Sequence, residues 1–193
     1  MGFFAVIDTE TNWADQVMSI GTVIADDKTF QPLFIQYHIL PKECEIGGMY
    51  SDTLFLETPV TPLLCTREDA LDELVCWLKD HGVRSIFAYN AAFDRNHLPE
   101  LKDFTWYDIM RFAAYRQHNP KIPANADLCS TGRLKRGYGV ESMLRLLSGN
   151  RKYRETHNAC FDALDELNIM ALLGYPPEQY PPLGAARKGV SHV

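Results

Sequence analysis

The eight residues FFAVIDTE, Phe3 to Glu10, leave a chain little choice of fold. Phe3, Phe4, Val6 and Ile7 are aromatic or β-branched and favour a buried strand. The run ends in two acids one residue apart, which packing cannot explain. In a strand, residues i and i+2 share a face, so Asp8 and Glu10 project together while Thr9 points away. Two carboxylates side by side repel, and they need basic side chains or a hard cation to compensate them. By themselves these residues read equally well as half a metal site and as a strand ending in a solvated acidic turn.

The segments that follow set the layout. Gln16 to Ala25 and Leu33 to Leu40 also read as strands, parted by the turn-like Asp26-Asp27-Lys28, which predicts an antiparallel meander. From Pro41 to Cys65 the periodicity lapses among Gly47, Gly48, Pro59 and Pro62, and a long irregular surface detour is expected. Thr66 and Asp69 resemble a capping box, and Leu71, Leu74, Val75 and Leu78 keep helical spacing up to Gly82. A short strand is expected at Ser85 to Asn90, a helix over Ala91 to Leu98, and a strand at Phe104 to Tyr107. Asp108 then reads as the cap of a helix over IMRFAAYRQ, residues 109–117. Helices are also predicted over Val140 to Leu147 and Asn158 to Leu173, the second with an apolar stripe of Ala163, Leu164, Leu167, Met170 and Leu173. Asp165 and Glu166 are assigned to its solvated face. The sum is an α/β chain with a mixed five-stranded sheet, a meander and then parallel strands, flanked by helices. One domain is expected over residues 1–175, followed by a Pro-rich tail, 176–193, that drapes over it or is disordered.

Charge narrows the function. The 19 Lys and Arg against 25 Asp and Glu leave a net charge of -6, which argues against a protein that coats nucleic acid by bulk charge. Yet residues 131–156 hold seven basic and two acidic side chains, a local +5 that leaves -11 for the rest. That segment reads either as a track for a phosphate backbone or as a solvated loop, and Arg151, Lys152 and Arg154 are the part leading into His157. Five scattered cysteines without a C-x-x-C pair indicate neither a disulfide frame nor a zinc ribbon, and a reducing, cytoplasmic home is expected. No stretch approaches the roughly 18 apolar residues of a membrane span, so no membrane partner is expected.

Two further acids fall at element ends: Asp94 just past a predicted strand and Asp162 one turn into the last helix. With their neighbours the acids form three motifs, Asp8-Thr9-Glu10, Asn90-Ala91-Ala92-Phe93-Asp94, and His157 through Asp162-Ala163. In order and spacing these resemble the D-x-E, N-x-x-F-D and H-x-A-x-x-D-A motifs of the DnaQ-like 3′-to-5′ exonucleases of the DEDDh group. The resemblance covers Phe3 to Gly174. The five-residue spacing from His157 to Asp162 matches this group, since the sister group carries a tyrosine four residues before the acid. The chain departs from the pattern between Pro41 and Cys65, which lacks the His-Gly-Ile-Thr type of turn common in many members.

The resemblance implies an RNase H-like fold and a metal-dependent 3′-5′ exonuclease that releases nucleoside 5′-monophosphates from DNA or RNA. It implies two Mg²⁺ (or Mn²⁺) ions held by Asp8, Glu10, Asp94 and Asp162, with Asp8 bridging. His157 is implied as the general base. Five residues of helix turn about 500°, so His157 should precede the helix on a loop rather than share the face of Asp162. On the substrate side stand Thr9, Trp13, Asn90, Arg151, Lys152 and Arg154. Trp13 reads either as a stacking surface for a terminal base or as a core residue, and Asn90 as a brace that holds the loop before Asp94 by side-chain hydrogen bonds. The expected partner is single-stranded or 3′-ended nucleic acid, with a homodimer or an association with a polymerase as further options. Two other functions fit the same fold: an RNA-processing nuclease, and a proofreading or partner-binding subunit.

Overall fold

Strand β1 (Phe3–Thr11) lies inside the molecule because it is apolar on both faces, with Phe4 and Val6 on one side and Ala5 and Ile7 on the other. The computed structural model describes residues 2–184. β1 pairs antiparallel with β2 (Val17–Asp26), and β2 with β3 (Pro32–Ile39), as the meander predicts. β4 (Leu63–Leu64) runs parallel to the outer edge of β3. On the other flank β5 (Ser85–Ala88) runs parallel to β1, and β6 (Thr105–Asp108) parallel to β5. The order is β4-β3-β2-β1-β5-β6, a mixed α/β sheet with one strand more than the five expected. The extra strand is two residues long and follows Pro62, too short to show a period of two.

Six α-helices accompany this sheet among the described residues. α1 (Pro41–Cys44) is a single turn within the irregular connection. α2 (Arg67–Asp80) begins at Thr66, whose side chain accepts the Asp69 backbone N–H, and buries Leu71, Leu74 and Leu78 against Ala5 and Ile7. α3 (Ala92–His97) follows β5 directly. α4 (Met110–Ala113) is far shorter than the predicted 109–117. Tertiary pairing overrides local propensity there: the Ala114 carbonyl accepts the Leu134 backbone N–H, and Tyr115 forms a β-bridge with Arg133. α5 (Val140–Ser148) and α6 (Ala159–Leu173) pack on the Phe4 and Val6 face, and Gly149 and Gly174 end them in left-handed conformations.

The first turn of α6 lies hard against β2. A Cβ placed on Gly21 would stand 1.9 Å from the Ala159 carbonyl oxygen, so only glycine permits this approach. Gly21 is the residue paired with Asp8 across the β1–β2 ladder. After α6 the chain turns back: Tyr180 is buried between Phe87 and Phe112, and the Leu183 N–H donates to the Trp106 carbonyl at 2.7 Å. Residues 185–193 of the expected tail lie outside the described residues. No described helix is long and apolar enough to cross a membrane.

Candidate metal centre

β1 and β5 run parallel, so their C-terminal ends open at the same edge of the sheet. Asp8 and Glu10 stand there on the Phe4 and Val6 face, and Asp94 enters from the first turn of α3. α6, held down at Gly21, adds Asp162 from above. Glu10, His157 and Asp162 each offer a ligand atom, and these atoms lie within 4.8 Å of one another. His157 precedes α6 on a loop, as the helical geometry requires, and its backbone is left-handed with φ 55°.

These acids crowd one another in a dry place. Burial, and after it the charges of Glu166, Asp94, Asp162 and Glu10, push the Asp8 carboxyl well above its ordinary value. Burial raises Glu10 to about 7, against a hydrogen bond with Asp162 that pulls the other way. Asp94 is raised to about 7, again by burial, although the Thr9 hydroxyl donates to its Oδ1 at 2.8 Å. Asp162 is raised to about 9, by burial and then by Glu155 and Glu10. Asp8 Oδ2, Asp162 Oδ1 and Glu166 Oε2 are buried oxygens without a hydrogen-bond partner among the described residues. Buried carboxylate oxygens left without partners are the kind of donor that Mg²⁺ or Mn²⁺ takes, so the residues present fit such ions.

The five motif residues therefore converge. The substrate-side residues divide. Thr9, expected to point away from Asp8 and Glu10, donates its hydroxyl to Asp94 Oδ1. Trp13 is 68% exposed, which removes the core reading, and its backbone N–H donates to the Gly47 carbonyl at 2.9 Å. Asn90 does not brace its loop through its side chain. Its backbone does that work: φ is 61°, its N–H donates to Asp108 Oδ1 and its carbonyl accepts from Phe93. Asn tolerates this left-handed turn better than most residues. Asp108 also accepts the Met110 N–H at 3.0 Å, so it ties the start of α4 to the loop before Asp94. Arg151 and Lys152 are exposed on the loop between α5 and α6, and Arg154 is exposed with Glu141 at 3.5 Å. Lys135 and Arg145 also carry acidic partners, so the positive field of 131–156 is concentrated at fewer residues than the count suggests.

Sequence reasoning misplaced or missed five residues. Glu166 is buried, not on a solvated face, and Asp165 is half-buried where the Tyr153 hydroxyl donates to it. Glu166 follows Asp162 by four residues, about 400° of helix, so its place on the inner face was present in the spacing. The Pro41 to Cys65 connection is no detour: Tyr50 stacks on the His157 imidazole with ring centroids 4.1 Å apart, and the Thr53 hydroxyl donates to the His157 carbonyl. Asn158 is fully buried; it caps α6 at the Cys160 N–H and donates to the Thr53 carbonyl and the Tyr37 hydroxyl. No local signal marks Tyr50 or Thr53, because their partner lies more than a hundred residues away.

Solved structures similar to this chain include nucleases. A 3′-exonuclease in a structure of 3′-end-specific recognition of a histone mRNA stem-loop superposes with a TM-score of 0.62 at 12% identity, covering 95% of this chain and 71% of the other. The nuclease domain of 3′hExo, a DEDDh family member bound to rAMP, gives 0.53 at 14% identity, covering 88% of this chain and 90% of that one. E. coli exonuclease I in complex with a dA16 oligonucleotide gives 0.56 at 13% identity; 93% of this chain is covered, but it spans only 42% of exonuclease I. The chain thus has the fold of DEDDh exonucleases. No protein-family model and no curated protein sequence matches it.

Proposed function

We propose that this chain is a metal-dependent, DnaQ-like 3′-5′ exonuclease that hydrolyses DNA or RNA to nucleoside 5′-monophosphates. One observation carries the reading: Glu10, Asp162 and the His157 imidazole meet within 4.8 Å, beside Asp8 and Asp94, in a cluster of buried acids with no basic side chain among the described residues that act on Asp8. Asp8, Glu10, Asp94 and Asp162 would hold two Mg²⁺ or Mn²⁺ ions. When bound, such ions offset charge on the phosphoryl oxygens and on the leaving oxygen and make the attacking water more acidic.

The remaining work falls to side chains of this chain. His157 takes the proton of the attacking water as its oxygen bonds to phosphorus and the bond to the 3′ oxygen breaks. Thr9 fixes the rotamer of Asp94. Tyr50 and Thr53 hold the His157 loop over the acids. Trp13, exposed where the chain leaves β1, offers a face for the terminal base. Arg151 and Lys152, with Arg154, attract the backbone through charge, so the Michaelis constant should rise with salt. The neighbours in solved structures hold both rAMP and a DNA oligonucleotide, so both polymers belong in the test.

That test is turnover of 5′-labelled single-stranded DNA, RNA and short oligonucleotides with Mg²⁺, Mn²⁺ or chelator. The expected result is stepwise shortening from the 3′ end that stops with chelator and with a blocked 3′ terminus. Cleavage that persists in chelator overturns the metal-dependent reading, and internal cuts in the blocked substrate overturn the exonuclease.

A further inference from the structure

Four carboxylates suffice for the reading above, yet a fifth is present. Glu166 is 1% exposed on the inner face of α6, one turn beyond Asp162. The Tyr89 backbone N–H, at the end of β5, compensates it in part. Its Oε2 has no hydrogen-bond partner among the described residues. The charged groups that act on it most strongly, Asp94, Asp162 and Glu155, are all acids, and among the carboxylates around Asp8 it repels Asp8 most. If the position served only to accept the Tyr89 N–H, an uncharged glutamine would serve it and avoid burying a charge among four others.

We propose that Glu166 is a fifth carboxylate of the metal centre, whose unpartnered Oε2, beside Asp8 and Asp94, supplies an anionic oxygen to the divalent cations bound there. The proposal rests on the metal-dependent reading and extends its ligand set by a residue outside the three motifs. A cluster of five acids carries one more negative charge than two divalent ions offset, so the site should bind cations tightly before any substrate phosphate arrives.

Mn²⁺ binding to the substrate-free protein, followed by calorimetry and by the Mn²⁺-induced rise in Tm, tests this without any turnover. Glu166→Gln keeps shape and acceptor while removing charge. It should weaken Mn²⁺ binding about tenfold or more and shrink the Mn²⁺-induced rise, while raising the Tm measured in chelator. Asp8→Asn should abolish tight binding. Wild-type Mn²⁺ affinity in E166Q, with binding lost in D8N, overturns the role of Glu166 and leaves the metal centre standing. No Mn²⁺ binding by the wild-type protein overturns the metal-dependent reading itself. Where E166Q does not fold, Glu166→Asp, which keeps the charge but withdraws it by one methylene, must weaken Mn²⁺ binding severalfold, and unchanged affinity there overturns the proposal equally.

Discussion

The carboxylates and the imidazole of this centre are held by different kinds of structure. Asp8 and Glu10 sit in a strand paired on both sides, and Asp162 and Glu166 in a helix pressed onto that sheet. Their positions follow from backbone ladders and a buried core, which move little. His157 has no ladder. It stands in a left-handed loop residue, held by one aromatic stack and one hydroxyl, both from the Pro41 to Cys65 connection. Charge placement is thus built into the core, while the imidazole proposed to take the proton rests on a contact with the Pro41 to Cys65 connection. Local opening of such segments requires far less free energy than unfolding the sheet.

Three measurements break or sharpen that contrast. The largest effect is expected from His157→Ala, which should lower kcat by about 10²- to 10⁴-fold, the range of a general base. Because the acids are held independently, the Mn²⁺-induced rise in Tm should be nearly unchanged; its disappearance would show that the imidazole and the carboxylates form one structural unit.

The second concerns pH. Glu10, Asp94 and Asp162 are raised to about 7, 7 and 9 in the fold, from ordinary values of 4.5, 3.8 and 3.8. An acid raised on folding keeps its proton in the folded chain at pH values where the unfolded chain has lost it. Stability from these groups is therefore greatest near pH 4 and falls as pH rises toward 9. In chelator the Tm should drop by several degrees between pH 5 and 9, and Mn²⁺ should remove most of that drop. A Tm that is flat with pH would mean that the acids are far better solvated than their burial indicates.

The smallest effect tests the imidazole's support. An aromatic pair is worth about 0.5–1.5 kcal/mol, so Tyr50→Ala should reduce kcat about three- to tenfold with little change in KM, and Tyr50→Phe should restore it. An equal loss in both variants would assign the work to the hydroxyl and remove the stack from the account.

The same contrast explains what could be read from the chain. Elements with a strong period, β1 to β3, α2, α5 and α6, were legible because burial on a defined face imposes that period. The convergence of the four motif acids and His157 was legible too, since each lies near an element end with a recognisable neighbourhood. Leu63–Leu64 was not, because two residues have no period. The length of α4 was not, because Leu134 and Arg133 claim its backbone from a distance. Tyr50 and Thr53 were hidden for the same reason: their role is a contact, and nothing within the connection announces its partner. Glu166 is a different case. Its helical spacing from Asp162 pointed inward, and the ordinary preference of glutamate for solvent obscured the signal.

Gly21 carries a consequence for how this chain tolerates change. It has no chemistry, sits in the middle of an apolar strand, and faces Asp8 across the ladder while the backbone of α6 rests where its side chain would be. The distance between the first and third motifs is therefore gauged by the absence of a methyl group. A chain with alanine at position 21 would keep every acid and the histidine, yet hold them in two separated sets, and the proposed activity should be lost for a reason no inventory of its motifs could reveal.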